Sequence, residues 1–122
     1  MHMWDVGYTD EFGECFSGLT EGDQEAIDAA VRILQMRGPA LGRPLVDTLR
    51  GSRHKNMKER RPSASTIRVL FAFDAERMAL LLIGGDKKNR WSAWYDAMIP
   101  IADRLLDDHL DELRAIKGQG TS

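Results

Sequence analysis

The chain has 122 residues, of which 43% are hydrophobic and 30% are charged, and its formal net charge is −2. This length predicts a single domain over residues 1–117 that can bury a core without a disulfide or a metal, followed by a disordered tail over residues 118–122. The single cysteine excludes an internal disulfide and a zinc motif, and the longest apolar run, residues 78–83, is too short to cross a bilayer.

The N-terminal part predicts one strand followed by two helices. Trp4, Val6 and Tyr8 alternate with polar or small residues, which indicates a short strand with one buried face. Thr9 and Thr20 are each suited to cap a helix, because acids follow them in the first turn. The second helix has apolar residues at i, i+3, i+4 and i+7 and ends at a Gly-Pro pair. We therefore expect a helical hairpin.

The middle of the chain predicts three strands. Residues 55–60 can form a strand of low apolar content, residues 67–73 alternate strongly, and residues 78–83 indicate a buried strand. The last two should pair as an antiparallel hairpin, and Gly84 and Gly85 should end the second of them.

A C-terminal helix should follow these strands. Its acids, from Asp103 to Glu112, are expected to form a solvated face, and Pro100 can begin or kink a helix. The order of elements predicts an α+β domain with helices packed against an antiparallel sheet.

The strongest functional signal is a run of positive charge. Seven Lys or Arg residues lie between Arg50 and Arg68, against one acid, Glu59. Such a cluster attracts phosphate, and so predicts nucleic-acid binding. If Lys58 and Arg60 share a strand face, they could converge with Arg68 on the open side of the sheet. The alternative is a solvated basic edge that prevents aggregation. The other cations expected to contact RNA here are Arg53, Lys55 and Arg61.

A second group of candidates follows the glycine pair. Cations and then aromatics occur there, and aromatics can stack on unpaired bases while cations hold the backbone. The alternative is that Trp91, Tyr95 and Met98 form the core stripe of a helix. Spacing favours this core interpretation for Trp91 and Trp94 and leaves Tyr95 open, because its hydroxyl needs a polar partner. The RNA-contact candidates in this segment are Lys88, Arg90 and Trp91.

Other chemistries have weaker support. His54 lies within the cation run and is a candidate general base, although a lone histidine is often a polar surface residue. Cys15 is expected to be a buried, inert thiol. No phosphate loop, nucleophile elbow or paired catalytic carboxylates occur, so we expect no cofactor and no metal. The absence of a signal peptide predicts a cytoplasmic protein without a membrane partner.

The order of these segments resembles a known pattern. Residues 49–59, 67–73, 82–87 and 94–109 together make the chain similar to the RelE/ParE superfamily of type II toxins, and within it to the HigB-like, phage-derived subgroup. The resemblance implies a RelE-like microbial RNase fold, with two N-terminal helices packed on a curved antiparallel sheet and a C-terminal helix. It implies a ribosome-dependent mRNA endonuclease that inhibits translation and is neutralised by a cognate helix-turn-helix antitoxin. We expect the cationic groove to hold an acidic or helical antitoxin segment.

The resemblance also implies site residues. Lys58, Arg60 and Arg68 match its basic sheet positions, although the loop at residues 62–65 leaves the register of Arg60 against Arg61 open. Either Lys87 or Lys88 matches the cation after the strand, and Tyr95 matches an aromatic near the C-terminal helix. Arg68 would stabilise the transition state with help from Lys58, and the general base remains open among three residues: His54, Tyr95 and Lys87.

Two alternatives to the nuclease remain at this point. One is a ParE-like gyrase poison, and the other is a non-catalytic module of the same fold that binds RNA or a partner. The chain lacks the C-terminal Asp-Tyr-His ending of some HigB toxins, which favours a mechanism based on lysine and arginine over one based on histidine.

Overall fold

The computed structural model describes residues 3–62, 65–88 and 91–120. It is an α+β fold with a five-stranded sheet in the order β1-β5-β4-β3-β2. The strands pair antiparallel except at one edge, where β1 runs parallel to β5. The elements are β1 (Asp5–Tyr8), α1 (Asp10–Ser17), α2 (Glu21–Arg37), β2 (Val46–Thr48), β3 (Lys58–Arg60), β4 (Ile67–Phe73), β5 (Met78–Asp86) and α3 (Trp91–Gly120), with a 3₁₀ turn at Gly38–Ala40.

The sheet lies between two helical layers. Because strand side chains alternate, Val69 and Phe71 of β4 pack with α1 and α2, whereas Leu70 and Ala72 pack with α3. Both faces of the central strands are therefore buried. The predicted fold class is confirmed, but α3 covers the face that the sequence predicted to be open.

The local helix signals are also confirmed. The Thr9 hydroxyl accepts a hydrogen bond from the Phe12 amide at 3.0 Å and so caps α1. Thr20 caps α2 in the same way, accepting from the Asp23 amide at 3.2 Å. Each cap satisfies an amide that the helix itself leaves unpaired.

The strand predictions were wrong in three places. Residues 55–57 lie outside β3, β2 was not predicted, and β5 continues through Gly84 and Gly85 instead of ending there. The two glycines face opposite helical layers. A Cβ on Gly84 would lie 3.2 Å from Phe12 Cε1, and one on Gly85 would lie 3.0 Å from Trp94 Nε1. These glycines therefore allow two aromatic rings to pack closely on the sheet.

The C-terminal helix is longer than expected. α3 continues without interruption through Pro100 and extends to Gly120, so residues 118–120 of the predicted tail are helical. No helix in the described part of the chain is both long enough and apolar enough to cross a membrane.

We expect Gly85→Ala to lower the free energy of unfolding by about 1–3 kcal/mol, because the added methyl group would press on the buried Trp94 ring. Gly22→Ala is the matched control, since a Cβ at Gly22 meets nothing within 4 Å. Urea denaturation of both variants tests this. An unchanged midpoint for Gly85→Ala would show that the ring can move at no cost.

Candidate functional site

The Glu59 carboxylate contacts most of the side chains that form the candidate site. Glu59 Oε1 lies 3.0 Å from Arg68 Nε and 3.0 Å from Arg61 Nε, and it accepts a hydrogen bond from the Tyr95 hydroxyl at 2.7 Å. Lys87 Nζ lies 3.5 Å from the same hydroxyl. We call these five residues the cation cluster. Because three cations surround one acid, the cation cluster has an excess of positive charge.

The sheet register explains why these side chains meet. Glu59 pairs with Leu70 across β3 and β4, so its side chain points towards α3. Arg68 lies two residues before Leu70 and therefore shares that face. Lys87 follows directly after β5, and Tyr95 lies in the second turn of α3. Two strands, one strand end and one helix thus build the site.

Burial and neighbouring charge change the acid–base properties of two members. Burial, with a further contribution from the Arg68 guanidinium, lowers the pKa of the Lys87 ammonium below its ordinary value of 10.5. Burial, with the hydrogen bond to Glu59, raises the pKa of Tyr95 to about 12. At neutral pH the phenol therefore keeps its proton, and Lys87 releases a proton more readily than an exposed lysine does.

Arg68 is fixed by the main chain near it. Its Nη1 donates to the carbonyl oxygens of Ser65 at 2.9 Å and Ile67 at 2.8 Å. Its Nε is buried and, although 3.0 Å from Glu59 Oε1, makes no aligned hydrogen bond within the described structure. The ion pair with Glu59 and the two carbonyl contacts together hold the guanidinium in place.

An exposed aromatic ring lies beside the cluster. Trp91 is 65% exposed, and Lys87 Nζ lies 4.1 Å from the centre of its ring. Trp94 is only 1% exposed and belongs to the core under α3. The core interpretation is therefore correct for Trp94 and wrong for Trp91, whose free face can stack on a base.

Two predicted members lie on the opposite face of the sheet. Arg60 is 3% exposed, and its guanidinium donates to the carbonyl oxygens of Ala30, Leu45 and Arg61. Lys58 Nζ lies 3.4 Å from the Thr48 hydroxyl. The prediction that these two converge with Arg68 is wrong. Lys58 pairs with Phe71 and Arg60 with Val69, so both point towards α1 and α2.

His54 and Arg53 are held at α3, away from the cation cluster. His54 Nε2 lies 2.7 Å from Asp107 Oδ1, and Arg53 also pairs with Asp107. Asp103 is 4% exposed and accepts hydrogen bonds from the Ser52 hydroxyl and the Arg53 amide. The prediction that the α3 acids form a solvated face is therefore wrong for Asp103 and Asp107. These two acids hold the loop between β2 and β3.

The remaining candidates are scattered. Lys55 and Lys88 are exposed, and Arg90 lies outside the described residues. Cys15 packs on the α3 side but is only half-buried, so the expected burial of this thiol is partial. No group of three metal-binding side chains occurs in the part of the chain that the structure describes.

Sequence reasoning missed the role of Glu59. It is the single acid in the cation run, and its side chain is 3% exposed. A lone acid among seven cations is itself a signal, because burial of a carboxylate requires charged partners around it.

The fold is that of the RelE toxins. The isolated E. coli RelE toxin superposes with a TM-score of 0.58 at 13% identity, covering 80% of this chain and 98% of that one. The toxin–antitoxin complex RelBE2 from Mycobacterium tuberculosis gives a TM-score of 0.56 at 16% identity, with coverage of 69% of this chain and 98% of the matched chain. At such identities the likeness establishes the fold alone.

Sequence relatives establish the family. The chain is 46% identical over 118 residues to a candidate toxin, HigB2, of Mycobacterium tuberculosis (strain ATCC 25618 / H37Rv), covering 92% of this chain and 59% of that protein. It is 47% identical over 95 residues to the candidate toxin HigB3 of the same strain, covering 78% of this chain and 83% of that protein. The family model for phage-derived Gp49-like proteins matches residues 14–107, and the chain belongs to that family. The predicted resemblance is confirmed, although the chain spans only 59% of the length of HigB2.

Proposed function

We propose that this chain is the toxin of a type II toxin–antitoxin pair and that it inhibits translation in the cytoplasm by cleaving mRNA on the ribosome. The family, the names of its relatives and the RelE fold support this proposal. The observation that carries it is the cation cluster, where three cations and a phenol lie beside the exposed Trp91 ring. Single-stranded RNA offers phosphates to the cations and a base to the ring.

The reaction would be an internal transfer at phosphorus. The ribose 2′-oxygen attacks the adjacent phosphate, the bond to the 5′-oxygen breaks, and the products are a 2′,3′-cyclic phosphate and a 5′-hydroxyl. Arg68 would stabilise the negative charge of the pentavalent intermediate, a kind of contact typically worth about 100–1000-fold in rate. Its positive charge, held in position by the carbonyls of Ser65 and Ile67, supports this role.

Three observations support our choice of the general base and the general acid. His54 is held at α3 by Asp107, and burial raises the pKa of Tyr95 to about 12, so its phenol keeps its proton at neutral pH. We assign the role of general base to the Glu59 carboxylate, which accepts a hydrogen bond from the Tyr95 hydroxyl. Lys87, with its lowered pKa, would give a proton to the departing 5′-oxygen.

Primer extension on a translated message tests the proposed reaction. Induction of the wild-type chain should stop growth and produce cuts in phase with codons. The purified chain without ribosomes should cleave poorly, since the ribosome would supply part of the site. DNA damage without RNA cuts would indicate a gyrase poison, and growth arrest without either would indicate a binding module. Each of those results would contradict the nuclease.

The assignment of Lys87 makes a prediction about pH. If its ammonium is the acid, the cleavage rate falls as pH rises through its lowered pKa, because the deprotonated amine has no proton to give. Lys87→Arg should keep the charge, slow cleavage by about 100-fold or more, and move the alkaline fall to higher pH. Single-turnover cleavage on programmed ribosomes measures both effects. Lys117→Arg, an exposed change on α3, is the control, and an alkaline limb unchanged in Lys87→Arg would remove Lys87 from the role.

A further inference from the structure

A groove lies on the face of the sheet opposite the cation cluster. It has a volume of about 940 Å³ and runs between β1, α1 and α2. Its floor is apolar, formed by side chains that belong to or pack on the core of that layer: Val6, Phe12, Phe16, Ile27, Val31 and Leu81. An apolar groove of this kind on a small domain is a typical site for a partner.

The rim of the groove is acidic. Asp10 and Glu14 of α1 lie on one side and Asp28 of α2 lies on the other, and all three are exposed. Among the described residues, no Lys, Arg or His lines the groove, and none of these three carboxylates forms an ion pair. The chain thus separates its charges, with cations at the cluster on one face and uncompensated acids at the groove on the other.

This chemistry selects one kind of occupant. We propose that the groove binds a basic amphipathic helix of the antitoxin partner, with an apolar stripe on the floor and Lys or Arg on both flanks. The spacing of the rim supports a helix, because Asp10 and Glu14 lie one helical turn apart and would meet cations spaced i, i+4 on the partner. Tyr8, which is 67% exposed beside Phe12, offers an aromatic contact at the same rim.

The identity of the partner rests on the proposed function, whereas the chemistry of the groove does not. An antitoxin bound here would leave the cation cluster uncovered. This differs from the expectation from the sequence, in which the cationic groove holds an acidic or helical segment of the antitoxin. Neutralisation would then act through the bulk of the partner, which would prevent entry to the ribosome, and not through occupation of the site.

The first test uses a designed peptide and needs no antitoxin. The probe is a labelled peptide of about 18 residues with one leucine stripe flanked by lysines, long enough to form a helix, and its counterpart has glutamate in place of lysine. We expect only the lysine peptide to bind, with affinity that falls as salt rises. The double variant Glu14→Lys/Asp28→Lys should weaken binding by about 10–100-fold. Glu25→Lys/Glu112→Lys makes the same change of charge on exposed sites outside the groove and should bind as wild type does.

The second test uses cells. Co-expression of the cognate antitoxin should relieve the growth arrest caused by wild type. The Glu14→Lys/Asp28→Lys variant should still arrest growth but should escape that relief. If wild type itself causes no arrest, the proposed toxin activity fails, and the peptide measurement still decides the groove.

Three results would overturn the inference. One is equal binding of the lysine peptide to wild type and to the double variant. Another is hydrogen-exchange protection by the peptide at the cation cluster and not at α1 and α2. The third is a concentration-dependent dimer that the double variant abolishes in the absence of peptide, which would assign the groove to a second copy of this chain.

Discussion

Replacement of Arg68 by lysine is expected to lower the rate of mRNA cleavage by about 100–1000-fold while the protein remains folded. The substitution keeps a positive charge near Glu59, which also retains Arg61 and Tyr95. It removes the planar guanidinium, which the carbonyls of Ser65 and Ile67 hold in place. A lysine cannot reproduce that anchoring together with a second donor aimed at a phosphate oxygen.

The comparison needs a matched control and a measure of folding. Arg114→Lys makes the same exchange at an exposed residue of α3, which pairs with Asp111 one turn earlier, and it should cleave as wild type does. Thermal melting should give similar midpoints for both variants. Wild-type cleavage by a folded Arg68→Lys protein would show that the guanidinium is not required. Arg68→Ala should lose activity as well. It also removes one of the two arginines that neutralise the buried Glu59 charge, so a loss of activity could then come from a loss of stability.

Local patterns predicted most of the fold because short-range physics determines those elements. The alternation in β4, the threonine caps and the apolar spacing of α2 each depend on neighbours within one or two turns. The glycines of β5 were misread for the opposite reason. Gly84 and Gly85 make room for the rings of Phe12 in α1 and Trp94 in α3. The sequence around the glycines contains no sign of the Phe12 contact, because that residue is far away in the chain.

The site was partly predictable from the sequence. The alternation of β4 placed Arg68 on its face of the sheet, whereas Lys87 and Tyr95 were implied by the resemblance to the toxin family. The structure brings the three together. β3 has only three residues and no apolar side chain, so the sequence could not indicate which of its residues face α3. Assigning Lys58 and Arg60 to that face was an error of one residue in register, and the correct members are Glu59 and Arg61.

Cations that are adjacent in the sequence therefore have separate structural roles. Arg53 fastens a loop to acids of α3, Arg60 supports the layer of α1 and α2, and Arg61 joins the cation cluster. Helical spacing likewise could not show that Asp103 and Asp107 would form hydrogen bonds with that loop. A dense run of charge in this chain indicates where ion pairs form, and the sheet register then decides which charges face a substrate.

Arg60 provides the sharpest test of that division, because the sequence predicted it to be catalytic and the structure places it in the interior. Its guanidinium donates to three carbonyl oxygens, and burial lowers the pKa of the group. Arg60→Ala should lower the free energy of unfolding by about 3 kcal/mol, through lost hydrogen bonds and the cavity left behind. Arg60→Met, which fills most of the space without donating, should cost less, about 1–2 kcal/mol.

Denaturation and cleavage measured on the same preparations separate the two roles. Arg32→Ala on the exposed side of α2 is the control and should change stability by less than about 0.5 kcal/mol. Under conditions where Arg60→Met is folded, it should cleave mRNA on programmed ribosomes at close to the wild-type rate, since its side chain lies across the sheet from Glu59. The opposite outcome, a wild-type melting midpoint with cleavage lost, would mean that Arg60 leaves the interior to reach the RNA. The register that separates it from the cation cluster would then not describe the active state.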